Sequence, residues 1–446
     1  MHYDVIIVGA GAAGLTAALR LPSFLKVLIL ERNTTVGRKL LATGNGRCNF
    51  SNVDLSQTHF HGENGWFSEL ILHRFGSKEV RKLFFDWGLM SEVEEGRLYP
   101  YSRQAKSVRQ MFINQLALRP QIEIKTGHRV IDIQPLAGLK IGNTHIASAK
   151  GFEVRSLIDE VGKQSASLAK QKKRSSSRVV HYTATCLLFC AGGKAAPGLG
   201  TDGSAYKFLE SFKHPIVPPR PALVQLICKE PPRRLAGIRL RCRVSADIGQ
   251  SNYTTPVSSA GEVLLTDYGL SGIPILDISG DVVRQLERGS AYVHLDLLPD
   301  MSKSDLINLL LKRRQEFTDL PAREWGTGFL PAAVSSYLLF EIVGKRGERM
   351  TLGKLNVKKI EALADGTKKW TRQVVNSKGF DHAQVTAGGF DTGAFDPESL
   401  ESLICPGLFC AGEILDVHGD CGGYNLHWAW ASGLAAADGI GAKFIK

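Results

Sequence analysis

The sequence predicts an α/β fold of two or three domains. Its 446 residues exceed one ordinary domain, and 43% hydrophobic residues can fill a large core. An apolar run ending at Val8 leads into the pattern Gly9-x-Gly11-x-x-Gly14, followed by small residues typical of a helix start. A second apolar strand ends in Glu31, twenty residues after Gly11. This order of strand, glycine turn, helix, strand and acid is typical of a Rossmann-like domain that binds a dinucleotide.

Each residue of this pattern has a mechanical role. Gly9 makes the tight turn, Gly11 lets the backbone approach a pyrophosphate, and Gly14 allows close packing of helix on strand. Glu31 can accept hydrogen bonds from ribose hydroxyls, and the helix N-terminus offers N–H groups to the phosphates. A glycine-containing turn without a ligand is the weaker alternative, because all the parts stand in order. The pattern predicts a dinucleotide without choosing between FAD and NAD.

Residues 37–49 predict a second contact with the cofactor. The basic pair Arg38 and Lys39 precedes a loop in which Gly44 and Gly46 expose backbone N–H groups. Such a loop suits a phosphate-bearing ligand, although a solvated basic turn has a similar composition. The density of glycine beside polar residues favours the cofactor.

Two more strand-to-glycine junctions favour FAD. One apolar strand ends in the glycine pair at 192–193, and another ends at 412–413. Residues 422–425 then open an amphipathic helix whose N-terminus can stabilise negative charge on a reduced ring, and Asp416 is placed to hold a polyol chain. A dinucleotide at one crossover needs no C-terminal segment, whereas FAD lying across several strand ends does.

We therefore predict FAD as the cofactor and no metal, since no cluster of His, Cys or Glu has the spacing of metal ligands. The residues predicted to bind the cofactor are Gly9, Gly11, Ala13, Gly14, Glu31, Arg32, Gly37, Arg38, Lys39, Thr43, Gly44, Gly46, Arg47, Cys48, Asn49, Val130, Ala191, Gly192, Gly193, Gly412, Glu413, Asp416, Gly422, Gly423, Tyr424 and Asn425.

The chain resembles the HI0933-like family of bacterial FAD-dependent oxidoreductases, which is related to aminoacetone oxidase and bile-acid 3-dehydro reductase-like flavoproteins. Its most specific segments are TGNGRCN at 43–49 and GGYNLHWAWASG at 422–433. The resemblance covers most of the chain. One departure is Asp267, which stands where the family often has a histidine, so no role for a histidine is carried over there.

The resemblance implies a Rossmann-like FAD-binding domain of the glutathione-reductase type with inserted β-barrel-like and helical domains. In this chain the implied domains are a discontinuous FAD-binding domain at 1–205 and 376–446, a β-barrel-like domain at 206–275 and 340–375, and a helical domain at 276–339.

The net charge of +12, from 55 basic and 43 acidic residues, is unevenly distributed. Residues 161–180 hold six basic residues and no acid, and we interpret 162–178 as a basic flexible insertion. It can attract RNA, although a solvated loop is the commoner use of such a run. The eight cysteines form no CxxC pair and no targeting or membrane segment is evident, so we predict free thiols in a cytoplasmic protein without membrane association.

The family implies hydride transfer through FAD, with NAD(P)H-linked reduction of a conjugated C=C bond in a small enone or in uridine of ribosomal RNA. No second glycine pattern indicates a built-in nicotinamide domain, so NAD(P)H is expected as a transient donor. Candidate proton donors are Tyr424, Cys48, His418 and Tyr268, each of which has an equally plausible structural role. The alternatives are a flavin oxidase of a small amine such as aminoacetone, producing hydrogen peroxide, and an RNA-binding protein with structural FAD.

Overall fold

The computed structural model describes residues 1–136, 151–159, 177–247 and 257–445. In chain order its strands are β1 (His2–Val8), β2 (Val27–Glu31), β3 (Ser51–Asn52), β4 (Phe60–His61), β5 (Ser91–Glu94), β6 (Arg97–Pro100), β7 (Ile122–Thr126), β8 (His128–Pro135), β9 (Phe152–Asp159), β10 (Ser177–Phe189), β11 (Ile216–Ala222), β12 (Leu226–Cys228), β13 (Arg239–Asp247), β14 (Ser258–Leu265), β15 (Gly269–Gly272), β16 (Ala291–Asp296), β17 (Trp370–Ser377), β18 (Val385–Phe390), β19 (Leu408–Cys410) and β20 (His418–Gly419). The helices are α1 (Ala12–Arg20), α2 (Phe67–Arg74), α3 (Ser77–Asp86), α4 (Ala105–Ala117), α5 (Tyr206–Ser211), α6 (Ile273–Leu286), α7 (Lys303–Glu316), α8 (Ala332–Val343), α9 (Val357–Lys368) and α10 (Tyr424–Phe444).

The chain divides into two units. The first contains Met1–Pro219 and Val385–Lys446, and the second contains Arg220–Gln384. The first unit is therefore discontinuous in sequence, and the second is inserted into it.

The first unit is organised around a seven-stranded sheet in the order β7-β2-β1-β10-β9-β8, with β19 also paired to β10. Strands β7, β2, β1, β10 and β19 run parallel to one another, whereas β9 pairs antiparallel with both β10 and β8. All of β2 is buried, and so is β1 from Val5 to Val8, because a parallel sheet is covered on both faces. This arrangement confirms the predicted α/β class.

The register of the sheet brings the predicted junctions to one edge. Val8 lies opposite Leu30 on one side and Phe189 on the other, and Phe189 lies opposite Cys410. Because carboxyl ends of parallel strands share an edge, the residues that follow these four positions become neighbours. The glycine turn, Glu31, and the junctions at 192–193 and 412–413 therefore meet there.

The second unit contains a closed barrel in the order β12-β15-β14-β13-β16-β17. Helices α6 to α9 belong to the same unit, and the barrel and helix side chains form one hydrophobic core that includes Val263, Leu310 and Leu338. The segment 276–339, expected to be helical, contains the barrel strand β16 as well as helices. The barrel itself confirms the predicted β-barrel-like fold.

Most of the predicted basic insertion, residues 162–176, lies outside the described residues; Ser177 and Arg178 begin strand β10. Among the described helices, none combines the length and apolarity needed to cross a membrane.

The buried His427 on α10 predicts acid sensitivity of the fold. Its Nε2–H donates to the Phe75 carbonyl and its Nδ1 accepts from the Ser51 hydroxyl, both at 2.8 Å. Burial lowers the pKa of His427 to about 4. The unfolded chain therefore takes up this proton near pH 6.5, whereas the native state resists it until about pH 4.

We accordingly expect the free energy of unfolding to fall as the pH is lowered from 6.5 towards 4, with His427 contributing on the order of 3 kcal/mol. Urea unfolding at several pH values measures this. In His427→Gln, whose amide keeps a donor for the Phe75 carbonyl, the loss between pH 7 and 5 should be smaller. An identical pH dependence in the two proteins would contradict this assignment.

Candidate cofactor and active site

The turn between β1 and α1 leaves open space at one glycine and none at the two others. A Cβ added at Gly9, where φ is +103°, would lie 2.4 Å from the Cys190 carbonyl oxygen. A Cβ at Gly14 would lie 2.1 Å from the Gly9 oxygen, whereas a Cβ at Gly11 meets nothing within 4 Å. Gly9 and Gly14 thus permit close packing, and the space beside Gly11 faces the start of α1, where a pyrophosphate is best stabilised.

Glu31 fixes this turn to the end of β2. Its side chain is buried, and Oε2 accepts from the Ala10 N–H at 2.8 Å. The other oxygen, Oε1, accepts from the backbone and side-chain nitrogens of Asn33 at 2.8 and 2.7 Å. Glu31, which is predicted to bind the ribose, is therefore held in place by hydrogen bonds within the protein.

The loop that follows Lys39 has unusual backbone geometry. Gly44 and Asn45 both have a φ of 55°, and Cys48 has a φ of 59°. The Oδ1 atom of Asn49 is buried without a hydrogen-bond partner among the described residues. A buried acceptor without a donor is costly, so this atom is suited to a donor from a bound ligand.

The C-terminal junction is tied to this loop by an ion pair. Lys39 Nζ donates to Glu413 Oε2 at 2.7 Å, and Glu413 Oε1 accepts from the Thr386 N–H at 2.9 Å. Asp416 is buried and accepts from the Glu63 N–H at 2.8 Å. The Lys39 charge, expected to contact the cofactor, is partly neutralised by Glu413.

A histidine–carboxylate group lies next to the N-terminus of α10. The Asp420 carboxylate accepts from His59 Nδ1 at 2.9 Å and from His61 Nε2 at 2.6 Å. The pairing of β4 with β20 brings these residues together, and the His59 ring stacks on Tyr424 with centroids 4.5 Å apart. His61 lies beside His418, with ring centroids 5.3 Å apart. We call His59, Asp420 and His61 the histidine group.

The charge state of this group follows from its hydrogen bonds. Burial raises the pKa of Asp420, but the hydrogen bonds and charges of His61 and His59 outweigh it and hold that pKa below its usual value. Asp420 is therefore a carboxylate at neutral pH, and each imidazole directs an N–H towards it. On the outer side, His59 Nε2 lies 3.4 Å from Asp54, whose side chain is 60% exposed. The histidine group thus extends from the first residue of α10, Tyr424, to an exposed carboxylate.

The chain matches one protein family over nearly its whole length. The profile of the HI0933-like protein Rossmann domain matches residues 3–169 and 146–439. The chain belongs to the HI0933-like family. HI0933-like proteins are FAD-dependent oxidoreductases, so the predicted flavoprotein class is confirmed.

Two curated relatives of this HI0933-like chain align over nearly its full length. A 3-dehydro-bile acid delta(4,6)-reductase of Clostridium scindens is 36% identical over 435 residues, covering 96% of this chain and 97% of the relative. A ribosomal RNA dihydrouridine synthase of Haemophilus influenzae is 28% identical over 443 residues, covering 98% of each. Among solved structures, quinol fumarate reductase FrdA of Escherichia coli aligns with a TM-score of 0.48 at 15% identity, covering 99% of this chain and 70% of that one.

The residues of the HI0933-like site fit FAD. The open space at Gly11 suits the pyrophosphate, and the partnerless Asn49 Oδ1 suits a donor of the ligand. Gly423, the N-cap of α10, comes so close to Asn49 that an added Cβ would lie 2.6 Å from Oδ1. The loop at 43–49 and the N-terminus of α10 therefore lie side by side.

Other predicted residues lie elsewhere or are already engaged. Arg32 pairs with Asp202 at 2.9 Å, and Arg38 donates to Asn33 at 3.2 Å. Val130 lies on the edge strand β8, away from the parallel strand ends. Their contact with the cofactor stays a prediction.

The four candidate proton donors differ sharply in their surroundings. Cys48 is fully buried, and burial raises its pKa to about 11, so it does not readily release a proton. Tyr268 belongs to the second unit, where Lys378 Nζ lies 4.1 Å from its ring centroid. Tyr424 and His418 both lie against the histidine group.

Sequence reasoning missed the histidine group and Tyr206. Tyr206, the first residue of α5, is 7% exposed, and its hydroxyl has no hydrogen-bond partner among the described residues. Burial and the charges of Glu413 and Asp416 raise its pKa, so it remains a hydrogen-bond donor. It also lines a cavity of ≈ 310 Å³ in the first unit, together with Lys194 and Glu210. No local sequence pattern marks a lone tyrosine of this kind.

Proposed function

We propose that this HI0933-like protein reduces a conjugated C=C bond of a small enone, with NAD(P)H as the electron donor. The observation that carries the proposal is the 36% identity, over 96% of the chain, to a protein named as a bile-acid delta(4,6)-reductase. A second relative is named as a ribosomal RNA dihydrouridine synthase, and dihydrouridine is uridine whose ring C=C bond has been reduced. Bound FAD supplies hydride transfer to one carbon of the double bond.

The proposal includes a proton source for the second carbon. Addition of hydride to an electron-poor alkene leaves negative charge that a proton must neutralise. We assign this proton to His61, whose side chain is 36% exposed and whose ring is oriented by Asp420. The proton given to the substrate is the one on Nδ1 of the His61 imidazolium, because Nε2–H stays bonded to Asp420, and solvent returns a proton to the part-exposed ring; His59 holds Asp420 in place from its other side.

Uridine in ribosomal RNA is the second candidate substrate. It is supported by the dihydrouridine synthase relative, which is 28% identical over 98% of both chains, and by the net charge of +12. The chemistry at the double bond is the same, so the histidine group serves either substrate.

Anaerobic titration tests this proposal. We expect NADH or NADPH to bleach the flavin absorbance of the purified holoenzyme, and a 3-dehydro-4,6-diene bile acid to restore it with loss of the conjugated double bond. A uridine-containing RNA in place of the steroid distinguishes the two substrates by the appearance of dihydrouridine. A flavin that both nicotinamides leave oxidised, but that aminoacetone bleaches with hydrogen peroxide formed in air, would favour the amine oxidase instead.

A further inference from the structure

Thr386 lies between two of the segments that are predicted to hold the cofactor. It belongs to β18, the first strand of the first unit after the inserted second unit, and it is 1% exposed. Strand β18 lies outside the seven-stranded sheet, so Thr386 reaches the edge of that sheet from another part of the first unit. It therefore contacts the junctions at 192–193 and 412–413 without belonging to either.

The Thr386 hydroxyl holds the junction that follows β10. Its Oγ1 accepts from the backbone N–H groups of Lys194 and Ala195, at 2.7 and 3.0 Å. These two residues directly follow Gly193, where an added Cβ would lie 2.3 Å from the same Oγ1. A hydroxyl oxygen has two acceptor positions, and this junction uses both of them. The hydroxyl therefore fixes the backbone course of the glycine pair that is predicted to contact FAD.

The backbone of Thr386 holds the C-terminal junction. Its N–H donates to Glu413 Oε1 at 2.9 Å, and Oε2 of the same carboxylate accepts from Lys39 at 2.7 Å. At the other end of β18, the Phe390 N–H donates to the Ile414 carbonyl at 2.9 Å. Strand β18 is thus bonded along the C-terminal junction, and Glu413 links it to the loop that follows Lys39.

We propose that Thr386 is a positioning residue for the cofactor: its hydroxyl and its N–H set the glycine pair at 192–193 and the Glu413 carboxylate at the spacing that FAD requires. One buried residue satisfies backbone groups of the first junction and the carboxylate of the second. Valine in its place would leave two N–H groups without their acceptor, so the junction would have to move to satisfy them. The proposal rests on FAD binding and not on the proposed reduction of an enone, so it is tested without a substrate.

The test measures binding of FAD to the full-length apoprotein by flavin fluorescence, together with the melting temperature with and without FAD. We expect Thr386→Val to raise the dissociation constant of FAD by about tenfold, because binding must then also order the loosened junction. The melting temperature of the apoprotein should fall less than that of the holoprotein. Thr386→Ser keeps the hydroxyl and should bind FAD as the wild type does.

Thr392→Val is the matched control. Thr392 is also 1% exposed, and its hydroxyl is buried without a hydrogen-bond partner among the described residues. The same substitution there removes no hydrogen bond, so the dissociation constant of FAD should stay that of the wild type. Three results would overturn the proposal: an unchanged dissociation constant in Thr386→Val, an equal increase in Thr392→Val, or a Thr386→Ser variant that binds FAD as weakly as Thr386→Val.

Hydrogen exchange of the wild-type apoprotein gives a second test, which requires no variant to fold. We expect the Lys194 and Ala195 amides to be protected from exchange before FAD is added, because the Thr386 hydroxyl already accepts from both. Rapid exchange of both amides in the apoprotein, with protection only after FAD has bound, would overturn the proposal, since the cofactor and not Thr386 would then order the junction.

Discussion

A Gly11→Val variant is expected to fold normally and to retain no FAD. Gly11 has extended backbone angles of φ −86° and ψ −166°, which valine adopts readily, and a Cβ there meets no protein atom within 4 Å. The same side chain occupies the space beside the α1 N-terminus that the pyrophosphate needs. The measurement is the ratio of flavin absorbance to protein absorbance after purification, together with the melting temperature without added FAD.

Substitutions at two other glycines serve as controls for Gly11→Val. A Cβ at Gly65 also meets nothing within 4 Å, so Gly65→Val should keep both the fold and the flavin. Gly14→Ala should instead destabilise the protein itself, because its Cβ would lie 2.1 Å from the Gly9 oxygen. Full flavin occupancy in Gly11→Val would show that the pyrophosphate lies elsewhere.

Asp420→Asn is expected to lower kcat for enone reduction by about 10²-fold or more. The asparagine amide can accept from only one of the two imidazoles, and its NH2 group opposes the N–H of the other. Asp420→Asn also removes the negative charge that both imidazoles face, so its pH profile of kcat should differ from that of the wild type. Asp420 acts as a positioning residue, and the pH profile of kcat is the measurement that reveals this role.

The half-reaction with nicotinamide separates this prediction from the proposed function. Bleaching of the flavin by NAD(P)H needs no proton from His61, so its rate should be unchanged in Asp420→Asn. His61→Gln should reproduce the loss of kcat, whereas Asp54→Asn, at the exposed end, should have a smaller effect. A wild-type pH profile in Asp420→Asn would exclude the histidine group as the proton source.

The glycine turn could be predicted from the sequence because its parts are local. Gly9, Gly11, Gly14 and Glu31 lie within one strand–helix–strand unit, and each has a steric or hydrogen-bonding requirement that few residues meet. The junction at 412–413 could also be placed, since parallel strands deliver their carboxyl ends to the same edge.

The histidine group could not be predicted in the same way. His59 and His61 are separated from Asp420 by about 360 residues, and a two-residue pairing of β4 with β20 joins them. Strands this short carry no periodic pattern, so the sequence shows only separate polar residues. The sequence indicates His418 as a candidate proton donor, and the structure places its ring beside that of His61.

Because α10 packs closely on α1, the glycine turn is covered only after a distant part of the chain has been synthesised. A Cβ at Gly433 would lie 2.5 Å from the Ala13 oxygen, and the Trp428 indole N–H bonds to the Gly412 carbonyl at 3.2 Å. The glycine turn therefore leaves the ribosome before the inserted unit does, and the helix that covers the turn is made after that unit. Until β19 emerges, the edge of β10 from Leu187 to Phe189 has no partner on that side. An unpaired strand edge favours pairing with another chain, and the glycine turn gains its covering helix only once α10 has been made.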